Sequence, residues 1–336
     1  MTLKVAVSGI PRGYQFPKQD GNWLKEKHKR RILDISSDIE LLEIPADKVR
    51  DISGIEVLLA EGGNRTHYPG ELDWEDYKKF FTPSLKWVQL CSTGFSDNIT
   101  PGIIKGEVTL TNAPGLHTIP IAESVLAAML EHAKHFKQRR KDQKNHAWNR
   151  VKADELFGKM VLLIGLGNIG KRVAHLCKSF NMRVIGTKRR ITAVDNVDEV
   201  FPSNKLLEYL PQADYVVVAA PLTTETEHLL GREEFEAMKE AAYFINVGRG
   251  KISHEPSLIR ALKENWISGA YLDVFEVEPL PESHILWDLP NVFLIPHDSH
   301  SSPYIGDRVI DIFTENLERY IKGKQLLYIC NPDRGY

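Results

Sequence analysis

The most constraining stretch of the chain runs from Met160 to Thr187. An apolar run, Met160 to Ile164, is followed by Gly165-Leu-Gly-Asn-Ile-Gly170, a helix-compatible segment from Lys171 to Phe180, and a second apolar run from Arg183 to Thr187. Strand, glycine turn, helix and strand in this order make a βαβ unit, and this is the setting that gives G-x-G-x-x-G spacing its meaning. Gly165 permits the tight turn, Gly167 lets a pyrophosphate approach the backbone, and Gly170 lets helix and strand pack closely. The N–H groups around Asn168 and Ile169 then turn the positive end of the helix toward phosphate. A purely structural strand-to-helix turn is the alternative reading.

Further apolar runs at Tyr215 to Ala220, Tyr243 to Val247, Gly269 to Asp273 and Val292 to Ile295 supply the other parallel strands of a doubly wound sheet. Upstream, short runs at Leu3 to Val7, Ile39 to Ile44, Val57 to Ala60 and Trp87 to Cys91 alternate with polar, helix-compatible stretches, the pattern of a second, smaller parallel α/β unit. A long helix begins at Thr118 with Pro120 in its first turn, and an amphipathic helix from Ile305 to Lys322 closes the chain. A chain of 336 residues is expected to divide into two such domains.

Charge argues against two partner classes. Lys and Arg number 43 against 45 Asp and Glu, so no global field draws the protein to nucleic acid or to an anionic membrane. The one basic stretch, Lys134 to Lys152, lacks clustered base-stacking aromatics and reads as a solvated helix face or subunit arm. The longest apolar runs are far below membrane-spanning length, the start is not that of a secretory signal, and Cys91, Cys177 and Cys330 have neither metal-ligand spacing nor an even count. A cytoplasmic protein with reduced thiols and no metal is expected.

A dinucleotide unit that prefers NAD usually ends its second strand with Asp or Glu, which holds the ribose 2′-hydroxyl. Here Thr187 is followed by Lys188, Arg189 and Arg190. A carboxylate would repel a 2′-phosphate, whereas these cations pair with it, so NADP is the expected cofactor and NAD the weaker one. A solvated basic loop on an NAD enzyme is the competing reading. Hydride transfer to a ketone also needs a proton donor near neutral pH, for which histidine is suited. His297 follows a strand at the carboxyl end of the sheet, where such folds keep their ligands. Arg249 also stands just past a strand end, as does the acidic pair Asp273 and Glu278. Together they could bind a keto acid and protonate it.

At these residues the chain resembles the D-isomer-specific 2-hydroxyacid dehydrogenase family. The matching segments are CSTGFSDN at 91 to 98, NAPGLHTIPIAE at 112 to 123, GLGNIG, PLTTETEHLL at 221 to 230, INVGRG, GAYLDVFEVEP at 269 to 279, PH at 296 to 297 and the closing NPDRGY. The resemblance implies a Rossmann cofactor domain over 104–298 and a flavodoxin-like, discontinuous substrate domain over 1–103 and 299–336, with the active site in the cleft between them. It implies that Arg249 binds the substrate carboxylate and carbonyl, that His297 is the acid/base, and that Glu278 favours its imidazolium. Asp273 would lie near the nicotinamide carboxamide. Thr93, Gly94 and Phe95 would offer backbone N–H groups to the substrate carboxylate, and Thr118, Pro221, Thr223 and Val247 would line the cofactor. The implied reaction interconverts a small 2-keto acid and its 2-hydroxy acid, with glyoxylate or hydroxypyruvate as substrate, and the helix after Thr118 with the basic stretch beyond it corresponds to a homodimer arm.

Two departures from the family pattern adjoin these residues. Ser253-His254-Glu255 with Pro256 replaces the usual hydrophobic residue, Asp and Glu, and Asp298-Ser299-His300 is more polar than the usual small residues. Both put substrate preference in doubt rather than the chemistry. A nucleotide-sensing co-regulator on the same fold, or a phosphite, formate or phosphoglycerate dehydrogenase, are the alternatives.

Overall fold

Every ladder between strands is parallel in the computed structural model, which describes residues 2–8, 24–44, 54–60, 82–93 and 106–331. The chain divides into two compact units, 1–117 with 301–336, and 118–300.

The first unit holds a five-stranded sheet ordered β2-β1-β3-β4-β5, formed by Leu3–Ser8, Ile39–Ile44, Val57–Ala60, Trp87–Leu90 and Thr109–Thr111 taken as β1 to β5. This is the flavodoxin-like order, whose reversal falls between β1 and β3. Helix α1 (Glu26–Leu33) follows β1, and α8 (Ile305–Ile321) comes from the far end of the chain. Ile305, Val309, Ile310, Phe313 and Leu317 recur at helical spacing and are fully buried against the β1, β3 and β4 side chains Val5, Val57 and Trp87. Each such side chain contributes about 1.5–3 kcal/mol over its exposed state. The Trp87 ring stacks on Phe313 and Tyr320, and its indole N–H donates to Thr111 Oγ1 at 2.8 Å. The units meet the chain at 117/118 and 300/301 rather than at the expected 103/104 and 298/299. The first boundary falls late because β5 hydrogen-bonds to β4 and so belongs to the first sheet. Three residues of mixed polarity gave no apolar run by which to see that strand.

The second unit opens with α2 (Thr118–Lys134) and α3 (Phe136–Lys144). It then builds a seven-stranded sheet from Met160–Ile164, Arg183–Thr187, Glu199–Phe201, Tyr215–Val218, Tyr243–Asn246, Gly269–Leu272 and Val292–Leu294, taken as β6 to β12. Their order, β12-β11-β10-β9-β6-β7-β8, reverses between β6 and β9, which makes this a Rossmann sheet. Four central strands are buried on both faces, in keeping with their runs of Val, Ile, Leu, Tyr and Phe. One face packs under α2 and α4 (Asn168–Ser179), through Val125, Met129, Val173 and Cys177. The other packs under α5 (Leu206–Tyr209), α6 (Arg232–Ala237) and α7 (Glu255–Lys263), through Leu206, Phe235, Leu258 and Leu262.

In the basic stretch, Lys134 and Arg139 donate to the main-chain carbonyls of Asp154 and Lys134, and Lys137 to that of Pro290, which ties these cations to their own unit. No helix among the described residues is long and apolar enough to cross a membrane, and no group of His, Cys, Asp and Glu there has the arrangement of a metal site.

Candidate active site

Because all seven strands of the second sheet run the same way, the segments that follow them emerge on one edge. Along that edge stand Lys188 after β7, Gly165 after β6, Pro221 after β9, Val247 and Arg249 after β10, Asp273 after β11 and His297 after β12. With strands ~4.8 Å apart, the basic residues after β7 and Asp273 after β11 are separated by about 20 Å of sheet edge. A ligand serving both ends must be extended.

The glycine turn is built by the omission of side chains. Gly165 has φ 101°, and a Cβ there would stand 2.8 Å from the Ala220 backbone. A Cβ on Gly170 would overlap the carbonyl oxygen of Gly165, whereas at Gly167 it would meet nothing within 4 Å. Open space in front of Gly167, at the N-terminus of α4 where Asn168 is also exposed, fits a pyrophosphate on backbone N–H groups. Ile169 follows in the first turn of that helix. The buried Thr187 hydroxyl accepts the Gly165 N–H at 3.2 Å, an anchor that no sequence pattern announced.

Lys188 is half-buried and Arg189 and Arg190 are exposed beyond β7; Lys188 Nζ donates to Thr192 Oγ1 at 2.9 Å. The Thr223 hydroxyl holds the Glu225 carboxyl below the usual carboxylate range, and Arg189 adds a smaller pull in the same direction. The turn after β7 and the loop after β9 therefore share one electrostatic neighbourhood. Thr226 locks that loop, accepting the Thr223 N–H at 2.8 Å and donating to the Pro221 carbonyl at 2.7 Å. The signal for it was a threonine three residues after Thr223, the spacing at which a side chain reaches back to an earlier backbone N–H.

At the other end the carboxylate of Glu278 accepts from His297 Nδ1 at 2.7 Å, through Oε2, and from the Phe275 N–H at 3.0 Å, through Oε1. His297 has a left-handed backbone, φ 52°, held by its N–H donating to the Asp273 carbonyl at 2.9 Å. Asp273, only 2% exposed, closes the bracket. Its Oδ1 accepts the N–H groups of Asp298 and Ser299 at 2.9 and 3.0 Å, and its Oδ2 accepts the Ser299 hydroxyl. Asp273 thus shapes the 297–299 turn, a task that the sequence did not suggest. Burial pushes the Asp298 carboxyl up, against His300 and with a smaller push from Asp273.

Arg249 is exposed, directly after a turn in which the buried Asn246 accepts the Gly248 N–H at 3.0 Å and donates to the Arg249 carbonyl at 3.2 Å. Its neighbour Gly250 lies so close to the Phe275 and Glu276 backbone that a Cβ would overlap it. The loop carrying Arg249 is therefore seated on the loop carrying Glu278. Val247 is buried, its N–H bonded to the Val218 carbonyl, and Thr118 is the first residue of α2. In the first unit Thr93 Oγ1 donates to the Ala113 carbonyl at 3.2 Å and the Thr93 carbonyl accepts from Asn112 Nδ2 at 2.6 Å. Gly94 and Phe95 lie outside the described residues.

An extended phosphate-binding edge with an Arg, a carboxylate and an imidazole at its far end defines a nicotinamide-dependent oxidoreductase of the Rossmann class. Residues 126–299 match the model of the D-isomer specific 2-hydroxyacid dehydrogenase NAD-binding domain. A glyoxylate reductase of Thermofilum pendens is 33% identical over 75% of this chain and 76% of its own length. A D-isomer specific 2-hydroxyacid dehydrogenase family protein of Aeromonas salmonicida superposes with a TM-score of 0.80 at 29% identity, covering 99% of this chain and 100% of that one. A D-isomer specific 2-hydroxyacid dehydrogenase of Xanthobacter autotrophicus, solved with NADPH and MES, gives 0.76 at 26% identity, with each chain covered in full. The chain belongs to the D-isomer specific 2-hydroxyacid dehydrogenase family.

Proposed function

We propose that this enzyme is an NADP-preferring reductase of a small 2-keto acid, glyoxylate or hydroxypyruvate, giving the D-2-hydroxy acid. The observation that carries the reading is the 2.7 Å contact of His297 with Glu278 on the same sheet edge as Arg249 and the glycine turn. When bound, the reduced nicotinamide supplies the hydride. The guanidinium of Arg249 is suited to hold the substrate carboxylate and carbonyl. His297 gives its proton from Nε2, the ring nitrogen facing away from Glu278, to the oxygen on which negative charge develops. The Glu278 carboxylate fixes the ring orientation through Nδ1. The family resemblance gives Thr93, Gly94 and Phe95 the role of meeting the substrate carboxylate and Asp273 that of bordering the nicotinamide. Thr118, Pro221, Thr223 and Val247 line the cofactor.

The NADP preference rests on Lys188, Arg189 and Arg190 standing where an NAD enzyme has a carboxylate, and the NADPH complex of the Xanthobacter relative supports it. The substrate rests on the name of the Thermofilum relative. A cytoplasmic setting is supported by three buried cysteines that are all free thiols. A homodimer is supported by exposed aromatics beyond α2, among them Phe136, Phe157 and a Trp148 that is 96% exposed.

The test is NADPH and NADH absorbance decay with glyoxylate, hydroxypyruvate and pyruvate. Turnover of glyoxylate or hydroxypyruvate with kcat/KM higher for NADPH is the expected result. No turnover on the panel would overturn the reaction, and a preference for NADH would overturn the cofactor assignment.

A further inference from the structure

We infer that Glu276 is a positioning residue for the acid/base pair, bracing the loop that holds Glu278 against the N-terminus of α7. The inference rests on the reading of Glu278 and His297 given above.

The first N–H groups of a helix have no partner within it, and a side chain at the N-cap usually accepts one of them. At α7 the N-cap is His254, which makes no such bond; its Nδ1 meets Ser257 Oγ at 2.8 Å instead. Glu276 takes over the task from another segment. Its Oε1 accepts the N–H of Glu255, the first residue of α7, at 2.9 Å, and a carboxylate there also meets the positive end of the helix dipole. The pairing is reciprocal, since the Glu276 N–H points to Glu255 Oε2 at 3.5 Å. His284 Nε2 meets Glu255 Oε1 at 3.1 Å, and His228 Nε2 lies 3.5 Å from Glu276 Oε1.

The brace reaches the acid/base pair in two steps. Phe275, beside Glu276, gives its N–H to Glu278 Oε1, and Glu278 Oε2 meets His297 Nδ1. On the other side of the same backbone sits Gly250, next to Arg249. Displacing Glu276 therefore moves the support of both the carboxylate and the guanidinium.

The experiment compares Glu276→Ala with Glu276→Gln, whose amide oxygen can still accept the Glu255 N–H. In protein labelled with 15N-histidine, the Nδ1–H resonance of His297 is assigned as the one missing from His297→Gln. It should be sharp in the wild type and in E276Q and broadened by solvent exchange in E276A. In the same protein kcat should fall about 10- to 100-fold, the cost of a small misplacement, with KM for NADPH within about twofold. Where E276A does not fold, Glu255→Pro, which removes the N–H that Glu276 accepts at the first helical position, where proline is tolerated, should broaden the same resonance. A wild-type line width in whichever of the two variants folds, with kcat unchanged, would overturn the brace and leave the reductase reading intact. The expected broadening in a protein inert toward every 2-keto acid would support the brace and overturn the reductase reading instead.

Discussion

The turn at 165–170 and the segment from 273 to 299 sit on one edge of one sheet and are constructed in opposite ways. The turn works by leaving side chains out: Gly165 and Gly170 approach neighbouring backbone too closely for a Cβ, and Gly167 leaves a space open. The 273–299 segment works by side chains that meet across the sequence, with Asp273 holding the 298–299 turn and Glu278 holding His297. The first region should therefore fail when volume is added, whatever its chemistry. The second should fail when chemistry is removed, even where volume is kept.

The largest effect is expected from His297. Residue 297 is left-handed, a conformation that Asn tolerates better than Ala, so His297→Asn removes the acid with the least backbone strain. The kcat should drop about 10² to 10⁴-fold, the range for general acid catalysis. NADPH binding, followed by fluorescence titration, should hardly change, because the glycine turn is untouched. A variant that retains full turnover would show that the side-chain region does not carry the proton.

Next comes a contrast within the glycine turn. Gly170→Ala puts a Cβ into the Gly165 carbonyl and should lower unfolding free energy by about 1–3 kcal/mol, as overpacking does. Gly167→Ala enters open space and should cost about 1 kcal/mol at most, as Ala at an N-cap does. It should still raise KM for NADPH, since the methyl group occupies the pyrophosphate's path. Equal stability losses, measured by urea unfolding, would show that the two glycines do not divide the work in this way.

The same contrast explains what could be read from the residues. Glycines excluded by sterics leave their mark in the sequence, and GLGNIG between two apolar runs was enough to place the strand–turn–helix–strand unit, while the further apolar runs placed the other central strands. His297, Arg249 and Glu278 could be proposed because each follows a strand, and parallel strands share an edge. Thr187, Ser299 and Glu276 could not, since their work depends on partners 22, 26 and 21 residues distant across the fold. Strands β5 and β8 were also silent, each having three residues of mixed polarity that are ordered by neighbours rather than by a pattern of their own.

A last prediction separates acid damage to the fold from acid effects at either region of the edge. His132, on α2, stacks on Tyr243 with ring centroids 4.2 Å apart, and its Nε2 meets Ser268 Oγ at 3.1 Å. Burial first, and then His135, lower its pKa to about 4. In the unfolded chain an imidazole titrates near 6.5, so between pH 6.5 and 4 the unfolded state binds the extra proton and stability falls as pH falls. From pH 7 to pH 5 this amounts to about 2 kcal/mol. His132→Phe keeps a ring against Tyr243 and removes the titration, so the variant, though less stable at pH 7, should lose about 2 kcal/mol less than the wild type between these two pH values in urea unfolding. Equal losses in both proteins would place the acid sensitivity elsewhere, and the bracket around Asp273 and Glu278 would be the next region to test.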